Sequence, residues 1–174
     1  MVRGSSAVLM VFAATLLAET GIPRFEDYPS PTDWHGPAAA IKLITSSEQM
    51  FRTRLTETGK EPPNFAGHYK ITYWGCGSEC SAGAVIDLQS DGVYPPAFGG
   101  KGKGWQCWIS CAARFEGTDD EFHLNSRLMI TRCGSNFDQN GKNHPDVYYM
   151  LWDGSRFKEL MHLRTTSGKL EKVP

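Results

Sequence analysis

The chain has 174 residues, enough for one domain, two at most, and for a real buried core. Its 18 Lys and Arg against 19 Asp and Glu leave a formal net charge of -1, which excludes a broadly basic nucleic-acid binder and an acidic tail protein. Aromatic residues make up 11 % of the chain, too many for a disordered one, and 18 Gly with 10 Pro mark a turn-rich domain with much β-structure.

The first element is apolar. Residues Ala7 to Ala18 (AVLMVFAATLLA) form an unbroken run of twelve behind Arg3. As a helix that run spans ~18 Å, well short of the ~30 Å hydrocarbon core of a membrane. It reads as a signal peptide over residues 1–18, so a periplasmic or secreted protein is expected, with no membrane span once the signal is removed.

Residues 19–44 follow as an extended lead-in. Their stretch IPRFEDYPSPTDWHGPA (22–38) is rich in Pro and aromatic residues and suits a segment laid over a domain, not a helix. A helix start comes next. Thr45 with Glu48 has the form of a capping box, and Met50, Phe51 and Leu55 recur at helical spacing. Gly59, then Pro62 and Pro63, should end this helix, and Arg52 and Arg54 fall off its apolar stripe onto a solvated face.

From Gly67 the period becomes two. GHYKITYW predicts one strand and AVIDLQ (84–89) another, with GCGSECSA as the hairpin tip between them. Asp91-Gly92 is a tight-turn signal before Val93-Tyr94. The stretch 97–121 is irregular. Phe122, Leu124, Leu128 and Ile130 alternate with His123, Asn125 and Arg127, which predicts one half-buried strand. VYYMLW (147–152), Asp153-Gly154 and 155–163 predict a hairpin, and 165–174 a flexible tail. The expected fold class is α+β: a single domain over 45–164 with one N-terminal helix packed on a mostly antiparallel sheet of five or six strands.

Five cysteines form two C-x3-C pairs and a singleton. Such spacing suits either a four-thiolate zinc site or disulfides. Export favours disulfides. The simplest pairing is Cys76–Cys80 and Cys107–Cys111 with Cys133 free, a thiol available to join two chains; the alternative pairs Cys133 with a member of the second couple. No metal site and no cofactor are expected, since the five histidines show no zinc-enzyme spacing.

A catalytic dyad of His68 and Cys76 fails on reach, because eight residues of strand span ~26 Å. His68 and Asp87 are the alternative. A regular hairpin places them across the ladder, where they form either a structural cross-strand pair or an acid–base pair. The segment GGKGKGWQCW (99–108) combines flexible glycines, two ammonium groups and two indoles. Lys101, Lys103, Trp105 and Trp108 are therefore the candidate binding residues for a protein, an anion or a glycan. Tyr148, Tyr149 and Trp152 place rings on both faces of a strand, as core or as a protein-binding patch.

Pro63-Asn-Phe-Ala-Gly-His-Tyr69, Trp74-Gly-Cys-Gly-x-x-Cys80 and Ile86-Asp87 together resemble a group of small exported bacterial proteins of uncharacterised function. Phe51-Arg-Thr-Arg-Leu55, Ser126-Arg-Leu-Met-Ile130 and Tyr148-Tyr-Met-Leu-Trp152 extend the resemblance over most of residues 25–160, while segment 99–111 departs from it. The resemblance implies an exported, periplasmic domain and assigns no catalytic residue. The function expected is a non-catalytic binding protein with a protein partner in the envelope, such as an inhibitor or immunity-type protein against a secreted hydrolase. A small cell-wall or glycan-acting hydrolase using His68 and Asp87, and an anion or carbohydrate binding module, are the alternatives. Intact-mass measurement after alkylation, with and without reductant, should find two bridges and one free thiol; five alkylated thiols without reductant would remove the disulfide reading.

Overall fold

The computed structural model describes residues 21–32, 34–77, 80–96, 120–133, 139–142, 144–166 and 169–173. They form an α+β fold of two short helices and two antiparallel sheets. The helices are α1 (Ser46–Met50) and α2 (Arg52–Thr58). One sheet holds β1 (Tyr69–Gly77), β2 (Cys80–Asp87) and β3 (Val93–Tyr94), in that order. The other holds β4 (Asp120–Phe122), β5 (Leu128–Cys133), β6 (Asp146–Trp152), β7 (Phe157–Thr166) and β8 (Lys169–Lys172), again in chain order.

The capping box forms as its residues dictate. Thr45 Oγ1 accepts from Glu48 N at 3.2 Å, and Glu48 Oε2 accepts from Thr45 N at 2.8 Å and from Ile44 N. The helix expected over this stretch is two. Phe51, with φ -103° and ψ 19°, interrupts it. The break turns the Phe51 ring onto Trp74 (centroids 5.0 Å apart) while Leu55 remains fully buried. Met50, on the expected apolar stripe, is left 65 % exposed.

Two sheets replace the single sheet that the strand count suggested. Both faces of β1–β2–β3 are covered. On one side Ala82, Ala84, Ile86 and Trp74 pack with Leu55, Leu88 and the flanking Trp34, Ile41 and Leu43. On the other, Ile71, Val85 and Tyr69 meet Met129, Met150 and Trp152 of the larger sheet. A strand buried on both faces needs no polar alternation, which is why residues 82–88 read as a nearly continuous apolar run. The far face of the larger sheet carries Leu128, Val147, Tyr149 and Leu163, covered by Phe25 and Tyr28. Tyr73 of β1 also donates its hydroxyl to Asp120 of β4, and burial, then the carboxylate itself, pushes the Tyr73 pKa well above the tyrosine range.

The strand expected across 122–130 is broken between β4 and β5. Backbone groups of 123–127 serve other partners. Ala66 N and Gly67 N donate to the carbonyls of His123 and Leu124, Ser30 N donates to Asn125 O, and Arg127 N donates to Tyr28 O. Ser126, fully buried, donates its hydroxyl to Phe25 O (2.8 Å) and Tyr28 O (3.1 Å). A second correction concerns 165–174, read as a flexible tail: Lys169–Lys172 pair with β7 as edge strand β8, from Leu163↔Lys172 to Thr166↔Lys169. Its side chains are all exposed, so backbone pairing alone carries it, and composition offered no sign of that.

The β6–β7 hairpin turns at Asp153-Gly154, with Gly154 at φ +99°. Asp153 Oδ1 accepts from Ser155 N, Ser155 Oγ and Arg156 N, and Lys158 Nζ lies 3.1 Å from Oδ2. These donors, the Ser155 hydroxyl foremost, hold the carboxyl far below the usual aspartate range.

The PNFAGHY motif is a tight clasp. Phe65 and Tyr69 exchange both backbone hydrogen bonds at 3.0 Å, so the chain reverses within residues 65–69. Asn64 acts as a strand partner through its side chain, with Nδ2 donating to Ile71 O at 3.0 Å and Oδ1 accepting from Ile71 N at 2.8 Å. Ala66 (φ 42°) and Gly67 (φ 86°) take left-handed conformations. At Gly67 a Cβ would fall 2.1 Å from Pro31 O. Gly67→Ala should therefore cost more than about 3 kcal/mol, through strain and a backbone clash together. Urea denaturation would show this; a loss below about 1 kcal/mol would mean the lead-in is not pressed against the clasp.

Candidate functional site

The clasp sets the position of His68. Its carbonyl accepts from Leu88 N at 3.1 Å, and the following residue, Tyr69, pairs with Asp87 in the β1–β2 register. His68 Nε2 thus lies 3.4 Å from Asp87 Oδ1, as a regular hairpin requires. The His68 ring also leans on the Tyr69 ring, with centroids 4.2 Å apart. Burial, with Asp87 adding a smaller effect, pushes the Tyr69 hydroxyl above the tyrosine range, so it stays neutral.

Asp87 is buried and already occupied. Its Oδ1 accepts from Gln89 N at 2.9 Å and Ser90 N at 3.1 Å, the geometry that lets an aspartate build its own turn. The turn returns the chain to β3, with Asp87 N donating to Gly92 O. His68, with a side chain 25 % exposed, is the outer member of the pair. With Nε2 against the carboxylate, Nδ1 is the nitrogen left for an incoming group.

His68 lines a hollow of about 360 Å3 together with Ser30, Pro31, Trp34 and Gln89. A second hollow, of about 400 Å3, is lined by Trp34, His35, Gly36, Ala38, Lys60, Glu61, Pro62, Pro63 and Leu88. Trp34 belongs to both. The lead-in supplies half of the lining because it is tied along the domain, through Ser30 N to Asn125 O, Ala39 N to Leu88 O and Lys42 N to Asp91 O. Sequence reasoning missed Ser30, Trp34 and Gln89 as site residues. The signal available was the Pro- and aromatic-rich composition of 22–38, which spoke of a segment laid over the domain but not of what it would face.

The other residues singled out by sequence lie elsewhere. Lys101, Lys103, Trp105, Trp108, Cys107 and Cys111 fall outside the described residues. The backbones of Cys76 and Cys80 stand at the hairpin end of β1 and β2, Cys76 within the register shift between Gly75 and Gly77 and Cys80 opposite Gly77, and Cys133 ends β5; their side chains are likewise outside the description. His68 lies just before β1 and Cys76 near its far end, so an extended strand separates them. Tyr149 and Trp152 are core, whereas Tyr148 is half-buried. Among the described residues no group of three or more His, Cys, Asp or Glu could hold a metal ion. No described helix is long and apolar enough to cross a membrane.

A second histidine–carboxylate pair spans β6 and β7. His162 Nε2 lies 2.9 Å from Asp146 Oδ2, Arg164 Nε lies 3.5 Å from the same oxygen, and the Tyr148 ring stacks on His162 with centroids 4.1 Å apart. Neither hollow reaches it. Comparison with known proteins gives no significant match to a family model, a curated sequence or a solved structure.

The two members of the His68–Asp87 pair should respond differently to mutation. Asp87→Ala strands two backbone donors and should cost about 1–3 kcal/mol, while His68→Ala should cost under about 1 kcal/mol. Urea denaturation of both variants measures this, and equal losses would show that Asp87 is not the turn builder.

Proposed function

We propose that the chain is an exported binding protein of the bacterial envelope that performs no chemistry of its own. The observation that carries this reading is the occupation of Asp87. The carboxylate that a His68-based catalyst would rely on already holds the turn between β2 and β3 through two backbone donors. Around it the walls are stiff, with prolines at 31, 62 and 63 and a clasp built from backbone hydrogen bonds. Rigid, pre-shaped surfaces lower the ordering cost of binding and suit recognition.

The apolar run at Ala7 to Ala18 and the resemblance to small exported bacterial proteins support the envelope as the place of action. The partner proposed is a protein, a secreted or envelope hydrolase held by an inhibitor or immunity-type molecule. Lys101, Lys103, Trp105 and Trp108 are the residues proposed to contact it, with Cys76–Cys80 and Cys107–Cys111 as the disulfides and Cys133 as the thiol available to join two copies.

One observation favours a different reading. His68 lines a hollow and has a carboxylate beside it, an arrangement open to a general base, which favours the small cell-wall or glycan-acting hydrolase. The two readings separate in one experiment. The full chain, immobilised, should retain a discrete hydrolase from envelope extract and inhibit it. A Trp105→Ala/Trp108→Ala variant should lose that capture, and a His68→Asn/Asp87→Asn variant should keep it. Hydrolysis of cell-wall material by the chain alone, abolished by His68→Asn, would overturn the non-catalytic reading.

A further inference from the structure

The geometry points to a second ligand site in the cleft at Trp34, separate from the proposed protein-binding loop, and to a neutral oligosaccharide as its occupant. In the first hollow, Ser30, His68 and Gln89 offer a hydroxyl, an imidazole and a carboxamide beside Pro31 and the Trp34 indole. Among the described residues no lysine or arginine lines it, so none of them offers an anion a fixed countercharge there. A purely apolar ligand fits no better, because it would strip water from three hydrogen-bonding side chains and return nothing.

The second hollow is lined by the apolar Leu88, Ala38, Pro62 and Pro63 together with His35, Lys60 and Glu61. Lys60 and Glu61 bring one charge of each sign to the lining, and Glu61 pairs with Lys70 at 2.8 Å, so no cluster of like charge lines the hollow to recruit an ion. Hydroxyl-rich rings with apolar C–H faces match both hollows. Their hydroxyls serve as donors and acceptors to Gln89, Ser30 and His68 Nδ1, and their C–H faces lie on the indole. Indole rings supply such stacking area at little conformational cost.

Size agrees with this. Hollows of about 360 and 400 Å3 that have Trp34 in common suit a ligand of about two sugar rings. The Trp34 ring packs on the Leu55–Trp74 core, with Gly36 passing close to it. A Cβ at Gly36 would fall 3.0 Å from Trp34 Nε1, so any larger residue at 36 pushes on the ring. His68, which lines the first hollow, has its Nε2 3.4 Å from the Asp87 carboxylate, which steadies the ring.

The test uses the full chain with cellotetraose, chitotetraose and maltotetraose as separate probes. Ligand-observed saturation-transfer NMR detects binding and tryptophan fluorescence titration gives affinity. Binding of at least one probe is expected, and chitotetraose alone would point to an acetamido-bearing wall glycan as the source. Gln89→Ala, an exposed position, should weaken binding about tenfold with an unchanged unfolding curve. Trp34→Leu, which keeps apolar bulk toward the Leu55–Trp74 core, should weaken it further, and Gly36→Val should do so by displacing the ring. No transfer signal for any of the three probes at millimolar sugar would overturn the proposal, as would binding indifferent to Gln89→Ala and Trp34→Leu in folded protein. Protein capture that persists while all sugars fail would sink this inference and leave the envelope-binder reading standing; sugar binding without protein capture would do the reverse.

Discussion

The close approach of Gly67 to the Pro31 carbonyl is the constraint on which the rest of the molecule depends. Two left-handed residues, Ala66 and Gly67, reverse the chain so sharply that Phe65 and Tyr69 bond to each other. That reversal has consequences in three directions. It sends Phe65 and Tyr69 into the core against Trp152, it brings His68 beside Asp87, and it lets the lead-in pass over the clasp close enough to place Ser30, Pro31 and Trp34 beside His68. Strain of this kind persists only where surrounding contacts over-determine it. Here the backbone bonds to His123 and Leu124 and the side chain of Asn64 do so.

Trp152 is the pivot between the sheets. It is 1 % exposed and its ring meets those of Phe65, Tyr69, Tyr94 and Phe157 at centroid distances of 5.0 to 6.3 Å. Truncating such a residue typically costs about 3–5 kcal/mol, a large share of the stability of a small domain. Aromatic rings packed edge to face resist sliding, so the two sheets hold one geometry. The cleft, built on the outer side of the smaller sheet, inherits that rigidity. The opposite extreme is β8, an exposed edge held by backbone pairing, where local opening should cost least.

Two histidines show how one chemical pair serves two ends. His162 is set in a crowded polar patch, against Asp146 with Arg164 on the same oxygen and Tyr148 stacked on its ring. Its place is to join β6 to β7. His68 meets Asp87 through a longer contact and lines open space. The difference is in what the carboxylate must do. Asp87 holds a turn, which leaves the histidine in front of it available to a ligand.

Local features were legible because local chemistry produces them. The capping box at Thr45 and Glu48 and the turn at Asp153-Gly154 follow from spacing along a few residues, and the pairing that sets His68 beside Asp87 follows from the register of one hairpin. The α+β class follows from the same patterns. What the tertiary structure alone decided is where those pieces meet. Periodicity saw one strand in 122–130, but the backbone of 123–127 had distant partners in the clasp and the lead-in. Exposed β8 left no apolar trace, and the roles of Trp34 and Gln89 depend on residues more than fifty positions apart converging on one cleft. Hydrogen-bond caps and turn geometry are short-range and read off the chain, whereas burial and convergence are long-range and exist only once the lead-in lies across the clasp.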